Sequence, residues 1–367
     1  MIKQQSPTTL GLLIAAAGAA LIVAAAVQAA ADQPFYQQTN LVTDTGVGGT
    51  IKEDRLVNPW GIVQPPGDAP LWINDNGTGF STLYMGDGPV LPLAVVIPPP
   101  MGQPGPATPT GIVFNPTAAN KTNNFGGDLF IFAAEDGTIS GWQFSDGTEA
   151  MLRRDNSTFS TVYKGLAFGF SSGGAPMIYA TDFRHARIDV FDANYVPMML
   201  SAGDFNDPAL PAGYAPFGIA NVGGRLFVTY ALQDSFKHDD VAGLHHGFVD
   251  EFTTDGVMLR RFASGGKLNS PWGIALAPDD FGRFSNKLLI GNFGNGHINA
   301  FDLGSGKNVG ELHGPHGAIV IDGLWGLDFG NGSVAFKTPA NTLYFTAGPD
   351  AETHGLFGRL DVLPNRD

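Results

Sequence analysis

The feature that most constrains this chain is a short motif, Gly followed by Ile or Leu, that recurs six times. Its glycines stand at positions 61, 111, 165, 218, 273 and 326, so successive copies are 50, 54, 53, 55 and 53 residues apart. Each copy is followed by a second apolar run and then by a third that alternates apolar and polar residues, as in Arg187-Ile188-Asp189-Val190-Phe191. Such runs, separated by turn signals, predict strands. Six equal units of four strands predict an all-β, six-bladed β-propeller.

The last unit has an incomplete set of strands. After the motif it offers only two further apolar runs, whereas residues 35–43 form a spare strand ahead of the first unit. We therefore expect this N-terminal strand to close the ring as the outer strand of the last blade. The chain has no cysteine, which excludes disulfides, thiolate nucleophiles and cysteine-ligated metals. Closure must then rest on strand pairing.

The first 31 residues have the layout of a signal peptide. A polar start containing Lys3 precedes an apolar run over 10–27 and the small residues Ala29-Ala30-Ala31. The alternative is an uncleaved membrane anchor. We expect cleavage, with residues 32–367 forming a single propeller domain that is exported to the periplasm or the extracellular space. No second apolar stretch approaches spanning length, so no stable membrane span is expected after cleavage.

The charge balance narrows the class of partner. The chain carries 20 basic and 34 acidic side chains, a formal net charge of −14. Such a surface repels phosphate backbones, so nucleic acid is not an expected partner. We expect a small molecule, a glycan or a protein instead.

Two stretches resemble NHL repeats, which are propeller blades. They are Ile178-Tyr179-Ala180-Thr181-Asp182-Phe183 and the run from Leu289 to Ile298. The chain as a whole resembles an uncharacterised family of exported bacterial proteins, some with a C-terminal sorting tail that this chain lacks. The matching sequence segments include Asn58-Pro59-Trp60-Gly61, Asn74-Asp75-Asn76-Gly77-Thr78-Gly79 and Glu135-Asp136-Gly137-Thr138-Ile139-Ser140-Gly141-Trp142. The resemblance implies an NHL-like six-bladed fold and no particular activity. The architecture is distantly similar to gluconolactonase-type propellers.

Candidate metal ligands come from the ends of second strands. In a four-stranded blade the loop between strands two and three lies on the face from which strand one enters, so these loops should surround one mouth of the channel. They contribute Asp75, Asp182, Asn292 and Glu135. Carboxylate and amide oxygens suit a hard divalent cation such as calcium. The alternative is that each acid or amide fastens its own loop, as an Asx turn does.

Histidines suggest a second chemistry at the same mouth. The longest of these loops contains His238-Asp239-Asp240, and the fifth unit contributes His297. As catalytic residues, His238 and His297 would move protons. The alternative is that the long loop binds a transition metal. The other reading is a solvated polar insertion over the mouth.

The residues just before the six motif glycines supply candidate ligand contacts. They include Trp60, Lys164, Phe217, Trp272 and Trp325. Exposed aromatic faces would stack on a sugar ring or hold an apolar ligand, whereas the structural alternative packs them between blades. Lys164 is the one cation among apolar equivalents, and it would anchor an anion or pair with Glu135 or Asp182.

Two functional hypotheses follow. The first is an exported binding propeller that holds a small molecule, glycan or protein at the channel mouth. The second is a metal-dependent hydrolase or lyase that acts on a lactone, an ester or a uronic acid. The sequence leaves open whether the protein is an enzyme.

Overall fold

The structure is a computed structural model that describes residues 35–118, 124–201 and 203–363. The described residues form a six-bladed β-propeller, which confirms the all-β fold class predicted from the repeat. They contain short 3-10 turns and no α-helix, and none of their helical segments is long and apolar enough to cross a membrane. The signal peptide predicted over 1–31 lies outside the described residues.

The chain begins in the last blade and then runs through the others in order. It starts with β1 (Tyr36–Thr43) and β2 (Ile51–Lys52). Blade one consists of β3 (Pro59–Val63), β4 (Leu71–Asp75), β5 (Phe80–Tyr84) and β6 (Val90–Val96). Blade two consists of β7 (Pro109–Phe114), β8 (Phe130–Ala134), β9 (Thr138–Trp142) and β10 (Met151–Asp155). Blade three consists of β11 (Tyr163–Phe170), β12 (Pro176–Asp182) and β13 (Arg187–Phe191).

The second half of the ring follows the same antiparallel order. Blade four consists of β14 (Tyr214–Val222), β15 (Arg225–Leu232), β16 (Phe248–Thr253) and β17 (Met258–Ser264). Blade five consists of β18 (Pro271–Leu276), β19 (Lys287–Asn292), β20 (Ile298–Asp302) and β21 (Asn308–Glu311). A hairpin of β22 (His313–Gly314) and β23 (Gly317–Ala318) precedes blade six. Blade six consists of β24 (Leu324–Phe329), β25 (Leu343–Ala347), β26 (Leu356–Val362) and β1.

The N-terminal strand closes the ring, as predicted. Strand β1 pairs antiparallel with β26 from Tyr36↔Val362 to Thr43↔Leu356. The Tyr36 ring is buried against Phe281, and its hydroxyl donates to the Phe281 carbonyl oxygen at 3.0 Å. The closing strand is therefore held by backbone pairing to blade six and by a buried side chain that contacts blade five.

The recurring motif has a steric cause. Around the ring, each motif glycine faces the backbone of the corresponding strand in the next blade, and the sixth faces the first. A Cβ atom at Gly218 would collide with the carbonyl oxygen of Trp272, and one at Gly326 would collide with that of Trp60. Only glycine permits this approach of neighbouring inner strands. The sixfold glycine pattern is thus the signature of inner strands packed around one axis.

The inner strands leave a cavity of about 500 Å³ along the channel, beyond the motif glycines. Aliphatic side chains such as Ile62, Ile112 and Leu166 line it, together with the carboxyl group of Asp328. Asp328 accepts a hydrogen bond from the backbone N–H of Gln64 at 3.0 Å, which ties blade six to blade one. Burial raises the pKa of Asp328 to about 7, against the opposing effect of that hydrogen bond.

Candidate functional site

An aromatic cluster closes the channel at the end where the inner strands enter. Trp60 stacks on Trp325 with ring centroids 3.5 Å apart, and Trp272 meets both rings edge-on at 5.8 and 5.7 Å. Phe217 and Phe293 extend the cluster, at 5.8 and 4.0 Å from the Trp325 ring. Because these rings come from blades one, four, five and six, they meet near the axis. We call this cluster the aromatic plug.

The plug differs from the exposed aromatic collar that the sequence suggested. Trp60, Trp272 and Trp325 are 2%, 9% and 1% exposed, and Phe217 is fully buried. Their faces contact one another instead of solvent, because residues that precede the motif glycines are drawn to the axis. A sugar ring therefore finds no open tryptophan face in this arrangement.

Lys164, the cation of this ring of positions, is 2% exposed beside the plug. Its Nζ pairs with Glu135, lies 3.1 Å from Oδ1 of Asp239 and stands 5.1 Å from the centroid of the Trp60 ring. The Trp272 indole N–H donates to the Lys164 carbonyl oxygen at 2.9 Å. Burial disfavours the charged ammonium, but the two carboxylates outweigh it and the pKa of Lys164 is raised. Lys164 is a buried, fully charged centre.

A chain of side-chain hydrogen bonds runs from this lysine towards blade six. Oε2 of Glu135 accepts from Nδ2 of Asn76 at 2.8 Å, and Oδ1 of Asn76 is 3.3 Å from Nδ2 of Asn58. The same Asn58 nitrogen donates to Glu352 at 2.7 Å, while Asn58 Oδ1 accepts the Trp325 indole N–H at 3.0 Å. Burial raises the pKa of Glu352, although the hydrogen bond from Asn58 opposes the shift. Together with Lys164 of blade three, side chains of blades one, two and six thus form one polar layer over the plug.

The long loop between β15 and β16 adds two more groups. Asp234 accepts the backbone N–H of His238 at 2.8 Å, and this turn directs Asp239 to Lys164. His238 Nδ1 lies 2.8 Å from Asp239 Oδ1, a hydrogen bond that raises the pKa of His238 and holds the pKa of Asp239 well below its usual range. Ligand atoms of Glu135, His238 and Asp239 all lie within 4.8 Å of one another. We call these three residues with Lys164 the mouth cluster.

The other candidate metal ligands bond to residues outside the mouth cluster. Asp75 is buried and accepts the Thr82 hydroxyl at 2.7 Å, and burial raises its pKa well above the usual range. Asp182 is 2.7 Å from His185 Nδ1. Asn292 donates to the Lys267 carbonyl oxygen at 2.7 Å.

Of the four oxygen ligands that the sequence suggested, only Glu135 belongs to the mouth cluster. Asp182 and Asn292 each bond a residue of their own loop, His185 and Asn295, as the loop-fastening alternative expects, whereas Asp75 bonds Thr82 on β5. The two candidate catalytic histidines also have different surroundings. His238 belongs to the mouth cluster, whereas His297 Nδ1 lies 3.4 Å from Glu311 of its own blade.

Four residues of this polar region were not among the candidate site residues from sequence: Asn58, Asn76, Glu352 and Asp239. A partial signal for Asn58 exists, since it precedes Pro59-Trp60-Gly61 just as Ser270 precedes Pro271-Trp272-Gly273. Both Asn58 and Ser270 have a positive φ, of 47° and 44°. For Asp239 and Glu352 the sequence gives only their position in second-to-third loops expected at this mouth, because the contacts of both depend on irregular loop geometry.

No family model matches the chain. In structure it is similar to virginiamycin B lyase from Staphylococcus aureus, with a TM-score of 0.52 and 14% identity over 90% of this chain and 100% of that one. It is also similar to an aldose sugar dehydrogenase from Streptomyces coelicolor, with a TM-score of 0.51 and 12% identity over 90% of this chain and 99% of that one. These likenesses show the propeller fold alone.

Sequence comparison identifies closer relatives. One uncharacterised protein of Acanthamoeba polyphaga mimivirus is 34% identical over 316 residues, which are 83% of this chain and 75% of the viral protein. A second from the same virus is 32% identical over 335 residues, 87% of this chain and 84% of the viral protein. The chain therefore belongs to the family of β-propeller proteins that includes these two mimivirus proteins.

Proposed function

We propose that this protein is an exported binding module whose ligand site is the polar layer over the aromatic plug. The observation that carries the proposal is Lys164, a buried cation on which side chains of blade two and the long loop of blade four converge. A buried ion pair contributes little net stability compared with apolar packing, so its presence at a channel mouth points to recognition.

The hydrogen-bonding capacity of this layer favours a hydroxyl-rich ligand such as a glycan. Lys164 is already paired with two carboxylates, which disfavours an anionic ligand. Carboxylate oxygens of Glu135 and Glu352 accept hydrogen bonds, and the side-chain amides of Asn58 and Asn76 both donate and accept, as a polyol requires.

The test is a glycan array probed with residues 32–367, followed by calorimetric titration of the best hit. We expect Glu352→Gln to weaken binding at least about tenfold, the loss of roughly one charge-assisted hydrogen bond. The matched control is Asp54→Asn, because this carboxylate is 80% exposed and, among the residues that the structure describes, forms an ion pair with Lys52 alone. Equal binding by both variants, or no glycan bound by the wild type, would refute the proposed ligand class.

The second candidate is a metal-dependent hydrolase or lyase, and the specific observation in its favour is the proximity of Glu135, His238 and Asp239. One imidazole and two carboxylates can hold a divalent ion that activates a water molecule. Lys164 opposes this function, because its ammonium already contacts both carboxylates. A metal ion would have to bind beside a positive charge or displace it.

Elemental analysis of purified protein, with thermal melting before and after chelator, separates the two functions. A stoichiometric ion whose removal leaves the ring folded would support the hydrolase and justify screening lactones and esters. Protein without an ion and without a chelator effect would eliminate the metal hypothesis. In the latter case we expect Lys164→Met to gain affinity for added zinc, because it frees the carboxylates.

Export is proposed from the sequence of residues 1–31 alone. Mass spectrometry of the protein recovered outside the cytoplasm should give a chain that begins at Asp32. A chain retained with its first 31 residues in a membrane fraction would support the uncleaved anchor instead.

A further inference from the structure

The cavity on the other side of the aromatic plug from the polar layer has the size of a small-molecule site. Its volume is about 500 Å³, and ligand pockets typically enclose about 300–1,000 Å³. Trp272 belongs both to the plug and to the cavity wall, so the plug closes the cavity at that end. At the other end the lining reaches Phe114, Phe168 and Phe329, which are half-buried. The cavity therefore opens at the face of the propeller opposite the polar layer.

The cavity wall is apolar with a single charge. Apart from glycines, its lining consists mainly of Ile, Leu, Val, Ala and Phe side chains, and the two polar exceptions are Asn221 and Asp328. The Asn221 amide is already bonded within the protein, since its Nδ2 donates to the Phe168 carbonyl oxygen at 2.9 Å and its Oδ1 accepts the Gly224 N–H at 3.0 Å. Among the described lining residues, Asp328 is therefore the one ionisable group.

This carboxyl group stands where every other blade has an aliphatic side chain. Asp328 follows the motif glycine of blade six by two residues. The equivalent residues of the other five blades also line the cavity, and they are Val63, Val113, Ala167, Ala220 and Ala275. Five inner strands thus form without a carboxyl group at this position. The propeller fold itself does not require one in blade six.

Asp328 also lacks a cationic partner. Its charged form is favoured by two backbone N–H groups, those of Gln64 and Phe329. Among the described residues, no lysine, arginine or histidine adds to this stabilisation. The pKa of Asp328 is raised because the desolvation of a carboxylate without a cation outweighs two neutral donors. A cation inside the cavity would supply the missing half of a charge pair.

We propose that this cavity binds a small organic ammonium ion with an apolar body, which the Asp328 carboxylate anchors. The ammonium group donates to Asp328, and the body packs on aliphatic side chains such as Ile62, Ile112 and Leu166. One polar group in an apolar cavity fixes the orientation of such a ligand. The net charge of −14 also favours the approach of a cation. The site is separate from the polar layer and does not depend on the function proposed there.

The lining disfavours other classes of ligand. A calcium ion takes about six to eight oxygen ligands, whereas the side chains of the wall offer only the oxygens of Asp328 and of Asn221, whose Oδ1 is already bonded. An anion would be repelled by the carboxylate. A glycan would leave most of its hydroxyl groups against aliphatic side chains, without hydrogen-bond partners. An apolar body with one ammonium group matches both the wall and its charge.

The probes are adamantylmethylamine, adamantylmethanol and adamantanecarboxylate, which share an apolar body and differ in charge. In calorimetric titrations at pH 8, where Asp328 is ionised, we expect the amine to bind at least about tenfold tighter than the alcohol, and the carboxylate more weakly than either. Asp328→Asn should remove the preference for the amine and leave the affinity for the alcohol unchanged. Asp280→Asn is the matched control, because it removes an exposed carboxylate from the loop after β18, outside the cavity lining, and should preserve the preference.

A second variant tests where the probes bind. Ala220→Leu enlarges a side chain of the cavity wall and should weaken binding of the amine and the alcohol alike, by at least about fivefold. Affinities that this variant leaves unchanged would overturn the proposal, since the ligand would then lie elsewhere on the protein. An amine that binds no tighter than the alcohol, or a preference that survives Asp328→Asn, would also overturn it. Failure of all three probes to bind would do the same, because the cavity would then hold only solvent.

Discussion

The two ion pairs of Lys164 should make very different contributions to stability, because one is buried and the other is not. The Glu135 carboxylate is 11% exposed, whereas the Asp239 carboxylate is 65% exposed, and both contact the same Nζ. Removing one partner of a buried pair costs about 3–5 kcal/mol, whereas an exposed pair contributes about 0–1 kcal/mol. Because Glu135 retains slight exposure and Gln can still hydrogen-bond, we expect Glu135→Gln to lower the free energy of unfolding by about 2–3 kcal/mol. Asp239→Asn should lower it by less than about 1 kcal/mol.

Urea unfolding followed by tryptophan fluorescence at pH 7 measures these differences. Combining each variant with Lys164→Met completes a double-mutant cycle, which isolates the pairwise interaction from the cost of each substitution. We expect a coupling of about 2 kcal/mol between Lys164 and Glu135, and one below about 1 kcal/mol between Lys164 and Asp239. A coupling to Asp239 that equals or exceeds the coupling to Glu135 would refute the ranking by burial. Asp239 of the long loop, and not Glu135, would then be the main partner that stabilises the charged form of Lys164.

Three further outcomes can be tested by unfolding and fluorescence. Gly326→Ala should destabilise the ring by about 1–3 kcal/mol, because a Cβ there collides with Trp60, whereas Gly173→Ala, with no neighbour closer than 3.7 Å, should change stability by less than about 0.5 kcal/mol. The raised pKa of Asp328 means that its contribution to stability is present below about pH 4 and lost as the pH rises through about 7. Asp328→Asn should therefore stabilise the protein by about 1–2 kcal/mol at pH 8 and change its stability little at pH 4. The expected gain at pH 8 is smaller than the full pKa shift implies, because Asp328 is partly exposed. An equal effect at both pH values would contradict the raised pKa of Asp328. Acrylamide should quench the tryptophan fluorescence of the folded protein far less than that of the protein in urea, since all five tryptophans, the three of the plug included, are buried. Similar quenching in both states would contradict the burial of the plug.

The repeat predicted the fold because its cause is local and identical in every blade. Each motif glycine marks a close approach of inner strands, and such approaches can be counted in the sequence without knowing what they contact. The closing strand could be predicted for a related reason, since the last unit lacked a strand and β1 was left over. The incomplete blade three could not be predicted. The residues after β13 begin to pair with it as a fourth strand would, and the sequence does not indicate that the chain leaves the sheet after Met198.

The position of the candidate site at one mouth of the channel could be predicted from the sequence, whereas most of its side-chain contacts could not. The strand order places the second-to-third loops and the motif positions at one mouth, which is why Lys164 and Glu135 could be named. The loop that carries Asp239 has no regular register, and its course depends on turns such as the one that Asp234 caps. The aromatic residues illustrate another limit, since burial and exposure of a ring at the same position are both compatible with the same sequence pattern.

The pairing of β1 with β26 has a consequence for how the ring comes into existence. The two strands are about 320 residues apart in sequence, so nearly the whole chain must be synthesised before they can meet. Until then the last blade lacks its outer strand, and the buried position of Tyr36 against blade five is empty. Contacts of such long range form slowly, and β1 must remain unpaired while the blades between assemble. Strand β1 is therefore synthesised before the blades but pairs among the last strands, and the ring can close only after β26 has been synthesised.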